Sequence, residues 1–114
     1  MMQDWNHYRA FLLERVGDFA QHSPDVLRGL ATMDHAATKS GQLGPKIHEL
    51  ISLAVAVTTR CDVCIAVHTQ KAAEAGASVE EISEALGVAI AMNAGAALTH
   101  SARVIEAFQQ LPQK

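Results

Sequence analysis

The sequence predicts an all-α protein, a compact bundle of about six helices in a single domain over residues 1–114, and three observations predict it. Apolar residues recur at spacings of three and four through most of the chain, the period of one helix face. Helix-start and helix-stop residues punctuate it at helix-length intervals: Pro24, Pro45 and the Ser78/Glu81 pair at starts, Gly41 and Gly76 at ends. The punctuation of strands and hairpins does not recur.

The first helix, about Trp5 to Gln21, places Tyr8, Phe11, Leu12, Val16 and Phe19 on one stripe expected to be buried. Ser23 is read as the cap of a second helix, with Pro24 in the first-turn position where a missing N–H costs nothing. That helix carries Val26, Leu27, Leu30 and Met33, and Gly41 lies just past its end. Gly44 and Pro45 open a third helix, about 45–58, which is apolar on nearly every side from Leu50 to Val57 and is therefore expected to be central. After a turn at Thr59 and Arg60 a fourth helix runs from about Cys61 to Ala75 and stops at Gly76. The fifth begins with a capping box, Ser78 and Glu81, and its stripe of Ile82, Leu86, Ala89 and Ile90, continued by Leu98, is expected in the core. The segment "MNAGA", with Asn93 and Gly95, predicts a break or kink before a sixth helix that ends near Pro112.

Composition narrows the partners. Apolar residues make up 49% of the chain but aromatic residues only 4%, so alanine lines many helix faces and lets helices approach closely. Long apolar helices in so short a chain leave more apolar surface than one copy can hide, and a homo-oligomer is expected. A net charge of -3 offers no basic footprint, so neither nucleic acid nor a membrane surface is expected as a partner. The opening "MMQDWNHYRAFLLERV" has no positively charged segment followed by an apolar one, which gives a cytoplasmic expectation. The most apolar stretches, "LISLAVAV" and "ALGVAIAMNAGAAL", fall short of the roughly 18–20 residues that span a bilayer, and are read as core.

The chemistry concentrates in "TTRCDVCIAVHTQ", residues 58–70, which holds both cysteines of the chain. On a helix Cys61, Cys64 and His68 fall within an arc of roughly 60° and share a face. Two thiols at this spacing at a helix start can close a reversible disulfide, and the positive end of the helix dipole favours the thiolate. His68 is placed to take the Cys64 proton, while the Asp62 carboxylate opposes an extreme thiolate. A tight turn at 59–61 would lay the third helix antiparallel to this face and bring Glu49 opposite His68, where a carboxylate orients an imidazole and makes it a stronger base. Zinc ligation by Cys61, Cys64, His68 and Glu49 is a second reading, and two small buried apolar residues a third. His48 points about 100° from Glu49 and reads as an interface or surface residue. His7, His22 and His35 read as polar-face residues, His100 as a subunit contact, and Asn93 as a pocket residue or a helix stop.

Glu49, an eleven-residue gap, the C-x-x-C pair and a histidine four residues later resemble the AhpD-like (alkylhydroperoxidase) family of the carboxymuconolactone decarboxylase superfamily. The likeness covers about residues 20–110, through "ELISLAVAVTTRCDVCIAVHTQKAAEAG" and "EEISEALGVAIAMNAGAA". It implies helical subunits in trimers or hexamers and peroxide reduction by thiols, recycled by a dithiol reductant or reducing protein, with no metal or organic cofactor. It also implies that Cys64 attacks the peroxide or disulfide substrate, Cys61 resolves, and Glu49 with His68 relays the proton. The family's hydroperoxidase has a histidine immediately before the second cysteine, where this chain has Val63, so that proton carrier is missing. A non-redox enzyme, or an oligomeric binding module with inactive cysteines, is the competing reading.

Overall fold

Five helices make the fold in the computed structural model, which describes residues 1–113: α1 (Trp5–His22), α2 (Pro24–Lys39), α3 (Gly44–Thr59), α4 (Asp62–Glu74) and α5 (Val79–Gln109). Among the described residues there is no strand. Each boundary has a local cause. Asp4 caps α1, its carboxylate accepting the His7 N–H at 3.0 Å. Pro24 sits at the start of α2 as expected, but the Ser23 side chain makes no capping bond. Ser23 instead closes α1, donating its backbone N–H to the Phe19 carbonyl at 3.0 Å, and this fixes it away from the extended backbone that capping requires.

The end of α4 shows why Gly76 is there. Its φ of +85° is left-handed, and it lets Gly76 N–H reach the Ala73 carbonyl and Ala77 N–H the Ala72 carbonyl, which satisfies the helix's last acceptors. α5 then opens on the capping box: Ser78 Oγ accepts the Glu81 N–H and Glu81 Oε1 accepts the Ser78 N–H, at 3.1 and 3.0 Å. At the end of α3 the left-handed residue is Arg60, with φ +56°, and Cys61 N–H turns back to the Ala56 carbonyl at 3.0 Å.

α3 is the central element, packed between α4 and α5, with α1 lying on α4 and α2 touching α1 and α3. The buried residues are Leu53 and Ala56 of α3, Ala66 and Ala72 of α4 and Ala89 of α5. Methyl groups at the seams let helix axes approach closely. Arg9 of α1 is tied to this core, its Nε donating to the Ala66 carbonyl at 2.6 Å.

Two expectations are corrected. The sixth helix does not exist, because α5 continues without a break through Asn93 and Gly95 for 31 residues. Asn93 stays helical because its Nδ2 donates both to the Ala89 carbonyl and to Thr58 Oγ1 of α3, each at 2.8 Å. A single Gly costs only about 1 kcal/mol in a helix, and the surrounding alanines offset it. The stripes are also less buried than expected: Phe11, Phe19, Leu30, Met33, Ile90 and Leu98 are all exposed. Periodicity locates the apolar face of a helix, and one copy of this chain does not supply a neighbour for every face.

The uninterrupted α5 is about 46 Å long at 1.5 Å per residue, about twice α3, so its C-terminal half overhangs the bundle. The radius of gyration is 18.9 Å, against about 13 Å for a typical 100-residue domain. By length and composition alone α5 could cross a bilayer, whereas its apolar stretch had been expected to be too short for that; its first half packs on α3.

Lys46 of α3 pairs with Glu81 of α5 at 2.9 Å. The Lys46 hydrogen bond, helped by that of Ser78, lowers the Glu81 carboxyl below its ordinary value. A lowered folded-state value contributes stability above the unfolded value and loses it as pH falls through the folded one. Replacing Glu81 by Gln keeps the capping box and removes the charge. The variant is therefore expected to melt below the parent at neutral pH, with the difference closing well below the ordinary carboxylate value of about 4.3. Thermal melts at the two pH values check this.

Candidate active site

The site is assembled by the turn from α3 to α4. Arg60 takes the left-handed conformation, Cys61 is extended with φ -98° and ψ 96°, and α4 begins at Asp62. Cys61 is thus the N-cap of α4 and not its first helical residue, as the sequence suggested. Its Sγ does the work of a capping oxygen, accepting the Cys64 N–H at 3.2 Å. Cys61 and Cys64 are joined by a disulfide across a Cα separation of 5.2 Å, as C-x-x-C spacing at a helix start allows.

The antiparallel run of α3 beside α4 brings Glu49 to His68. His68 Nδ1 lies 2.6 Å from Glu49 Oε2, and the two side chains are 25% and 17% exposed. The contact is direct, with no intervening group. When Nδ1–H is donated to the carboxylate, Nε2 keeps its lone pair and can accept a proton. Among the described residues no three or more His, Cys, Asp and Glu side chains are gathered in the way metal ligands are.

Cys64 and His68 open on one cavity of about 280 Å³, walled by Ile51, Ser52, Val55 and Thr59 of α3; Cys61 does not line it. The two cysteines are therefore inequivalent: one faces a cavity beside a base and the other caps a helix. A second cavity of about 440 Å³ lies on the α2 side and shares Ile51, Ser52 and His68 with the first. Glu49 and His48 line it as well.

His48 was expected at the surface or an interface, and it is a half-buried wall of this second cavity instead. The helical-wheel angle that separates it from Glu49 is real, but α2 folds over that side of α3. Ser52, whose Oγ donates to the His48 carbonyl at 2.9 Å, and Lys71 were also missed. Both had a signal: Ser52 is one turn beyond Glu49, and Lys71 is two turns beyond Cys64 on the same helix face. His7, His22 and His35 are exposed, and so is His100 on α5. Asn93 lines a shallow apolar groove between α3 and α5 that neither cysteine lines, although it shares Ile51 and Val55 with the Cys64 cavity.

Reducing the protein is expected to add two hydrogens to the intact mass, and Cys61→Ser or Cys64→Ser should abolish the change. Intact mass spectrometry with and without reductant checks this. Cys64→Ser should also leave the α4 cap in place, since the capping sulfur belongs to Cys61.

Comparison with known proteins shows the family to which this fold belongs. Residues 24–107 match the carboxymuconolactone decarboxylase family. An uncharacterised protein of Haemophilus influenzae is 43% identical over 108 residues, which cover 95% of this chain and 96% of that protein. An uncharacterised protein from the cox locus of Paracoccus denitrificans is 38% identical over 96 residues, 84% of this chain and 86% of the relative. The apo crystal structure of a carboxymuconolactone decarboxylase family protein from Legionella pneumophila superposes with a TM-score of 0.73 at 34% identity, covering 93% of this chain and 95% of that one. With the helical fold, the cysteine pair and the match over most of its length, the chain belongs to the carboxymuconolactone decarboxylase family.

Proposed function

We propose that the protein is a thiol-dependent oxidoreductase of the AhpD-like type that reduces alkyl hydroperoxides or disulfides. The observation that carries this reading is the inequivalence of the cysteines: Cys64 opens on the cavity that holds His68, and Glu49 holds the other side of that imidazole. In the reduced protein His68 Nε2 takes the proton of Cys64, and the carboxylate of Glu49 stabilises the imidazolium that results. The Cys64 thiolate attacks an oxygen of the hydroperoxide, the O–O bond breaks, and the alcohol leaves with the proton that His68 returns. Cys64 is left as a sulfenic acid. The Cys61 thiol attacks that sulfur, water leaves, and the disulfide of the structure is formed. A dithiol reductant or reducing protein then restores both thiols by exchange, entering at Cys61.

Val63 occupies the position of the histidine in the family's hydroperoxidase, so in this chain His68 carries the proton alone. Cys61, at the helix start, is favoured as a thiolate by the N-terminal end of α4. The scheme uses no metal or organic cofactor and operates in the cytoplasm, where a dithiol reductant is at hand.

Glu49→Gln keeps the size and a hydrogen bond but removes the charge that stabilises the imidazolium. It is expected to slow hydroperoxide-driven oxidation of Cys64 by up to about a hundredfold, toward the low end of general-base effects. His68→Ala should cost more. The check is alkylation of Cys64 against pH in a Cys61→Ser background. A Glu49→Gln profile that overlays the parent's would mean Glu49 is only a helix-end carboxylate.

The same reading includes a homo-oligomer, a trimer or hexamer, supported by Leu98, Val104, Ile105 and Phe108 exposed on the overhanging half of α5. Light scattering in detergent-free buffer is expected to give a multiple of the 12.2 kDa chain. A clean monomer would count against subunit contacts, and recovery only in detergent would favour a bilayer around α5.

A further inference from the structure

The proposed chemistry uses the smaller cavity and leaves the larger one idle. That larger cavity, about 440 Å³, is of a size that holds a small molecule, and it adjoins the Cys64 cavity, with Ile51, Ser52 and His68 lining both. Its walls carry one carboxylate and one ammonium that belong to no ion pair among the described residues: Asp34 on α2 and Lys71 on α4. The other ionisable groups facing it are His48 and the mutually bonded Glu49 and His68. Lys71 lies seven residues after Cys64, about 10 Å along α4 and on nearly the same face. Helical side chains lean toward the N-terminus, so the stem of Lys71 leaves α4 on the side nearer Cys64.

A purely anionic ligand would meet Asp34 and Glu49 as well as Lys71, and a purely cationic one would meet Lys71. A molecule bearing both charges satisfies both walls. We infer that the second cavity is the subsite for the non-reacting end of a zwitterionic, amino-acid-type disulfide. Lys71 takes its carboxylate, Asp34 its ammonium group, and the apolar wall at Ile51 its methylene. This rests on the thiol reading of the preceding section and names the substrate class for that site. The exchange balances without another reagent: the Cys64 thiolate attacks one sulfur, and the S–S bond breaks. One thiol leaves with a proton, Cys61 attacks the mixed disulfide, and the second thiol leaves. The protein pair is oxidised by two electrons and the disulfide reduced by two.

The test is the rate at which four disulfides oxidise the reduced protein: cystine, cystamine, dithiodiglycolate and bis(2-hydroxyethyl) disulfide. They carry both charges, positive charge only, negative charge only, and none. Each rate is divided by that of the same disulfide with dithiothreitol, which removes differences in leaving-group reactivity. Both side chains are solvent-exposed, so modest factors are expected: cystine ahead of the uncharged disulfide by about tenfold, with Lys71→Met and Asp34→Asn each cutting that ratio by about two- to fivefold. Lys71→Met should also lower the dithiodiglycolate ratio, Asp34→Asn the cystamine ratio, and Lys71→Arg should recover the cystine preference. Equal normalised rates, or a cystine preference unmoved by either variant, would overturn the inference. If a hydroperoxide oxidises the pair while no disulfide does, the subsite inference fails and the thiol reading stands. If nothing oxidises the pair, both fail.

Discussion

The whole site depends on the reversal of the chain between Thr59 and Asp62. Arg60 adopts a left-handed conformation that costs an L residue about 1–2 kcal/mol, and in return α3 and α4 lie antiparallel at once. That reversal does three things together. It places Cys61 where a capping residue must stand, starts α4 so that Cys64 and His68 share a face, and brings Glu49 back to His68. Buried Ala56 lines the cavity that Cys64 and His68 share, and buried Ala66 lies toward α1, its carbonyl accepting from Arg9. A larger residue at Ala56 would crowd that cavity between α3 and α4.

Within that frame the sequence distributes roles by chemistry. Sulfur is a weaker acceptor than the oxygens of Ser or Asp, so a cysteine cap gives up some helix stability and gains a reactive group held at the positive end of the helix. Cys64 is one turn from His68, and both face the cavity along α3. His68 lines both cavities, which places its imidazole where the two adjoin. Ser52 lines the same junction from α3.

Much of this was legible before any coordinates. Pro24, Gly76 and the Ser78/Glu81 pair mark boundaries because their preferences are local, and the structure keeps all three. The meeting of Glu49 and His68 was legible because it follows from a tight turn and a fixed rise per residue. Burial was not, since Phe11, Leu30 and Ile90 sit on well-formed stripes that no other part of one chain covers. The continuity of α5 was hidden because Asn93 is held by Thr58, thirty-five positions away in sequence. His48 was misread for a similar reason: its surroundings are set by where α2 docks, and helix periodicity carries no information on that.

The central claim is that Cys61 and Cys64 act as one two-electron pair. The most direct measurement is titration of the reduced protein with an alkyl hydroperoxide while free thiols and the product alcohol are counted together. The account predicts that one equivalent removes both thiols of a chain and releases one equivalent of alcohol, with Cys64→Ser abolishing the reaction and Cys61→Ser stopping it at the sulfenic acid. Thiols that remain at two per chain while the hydroperoxide stays unconsumed would contradict it.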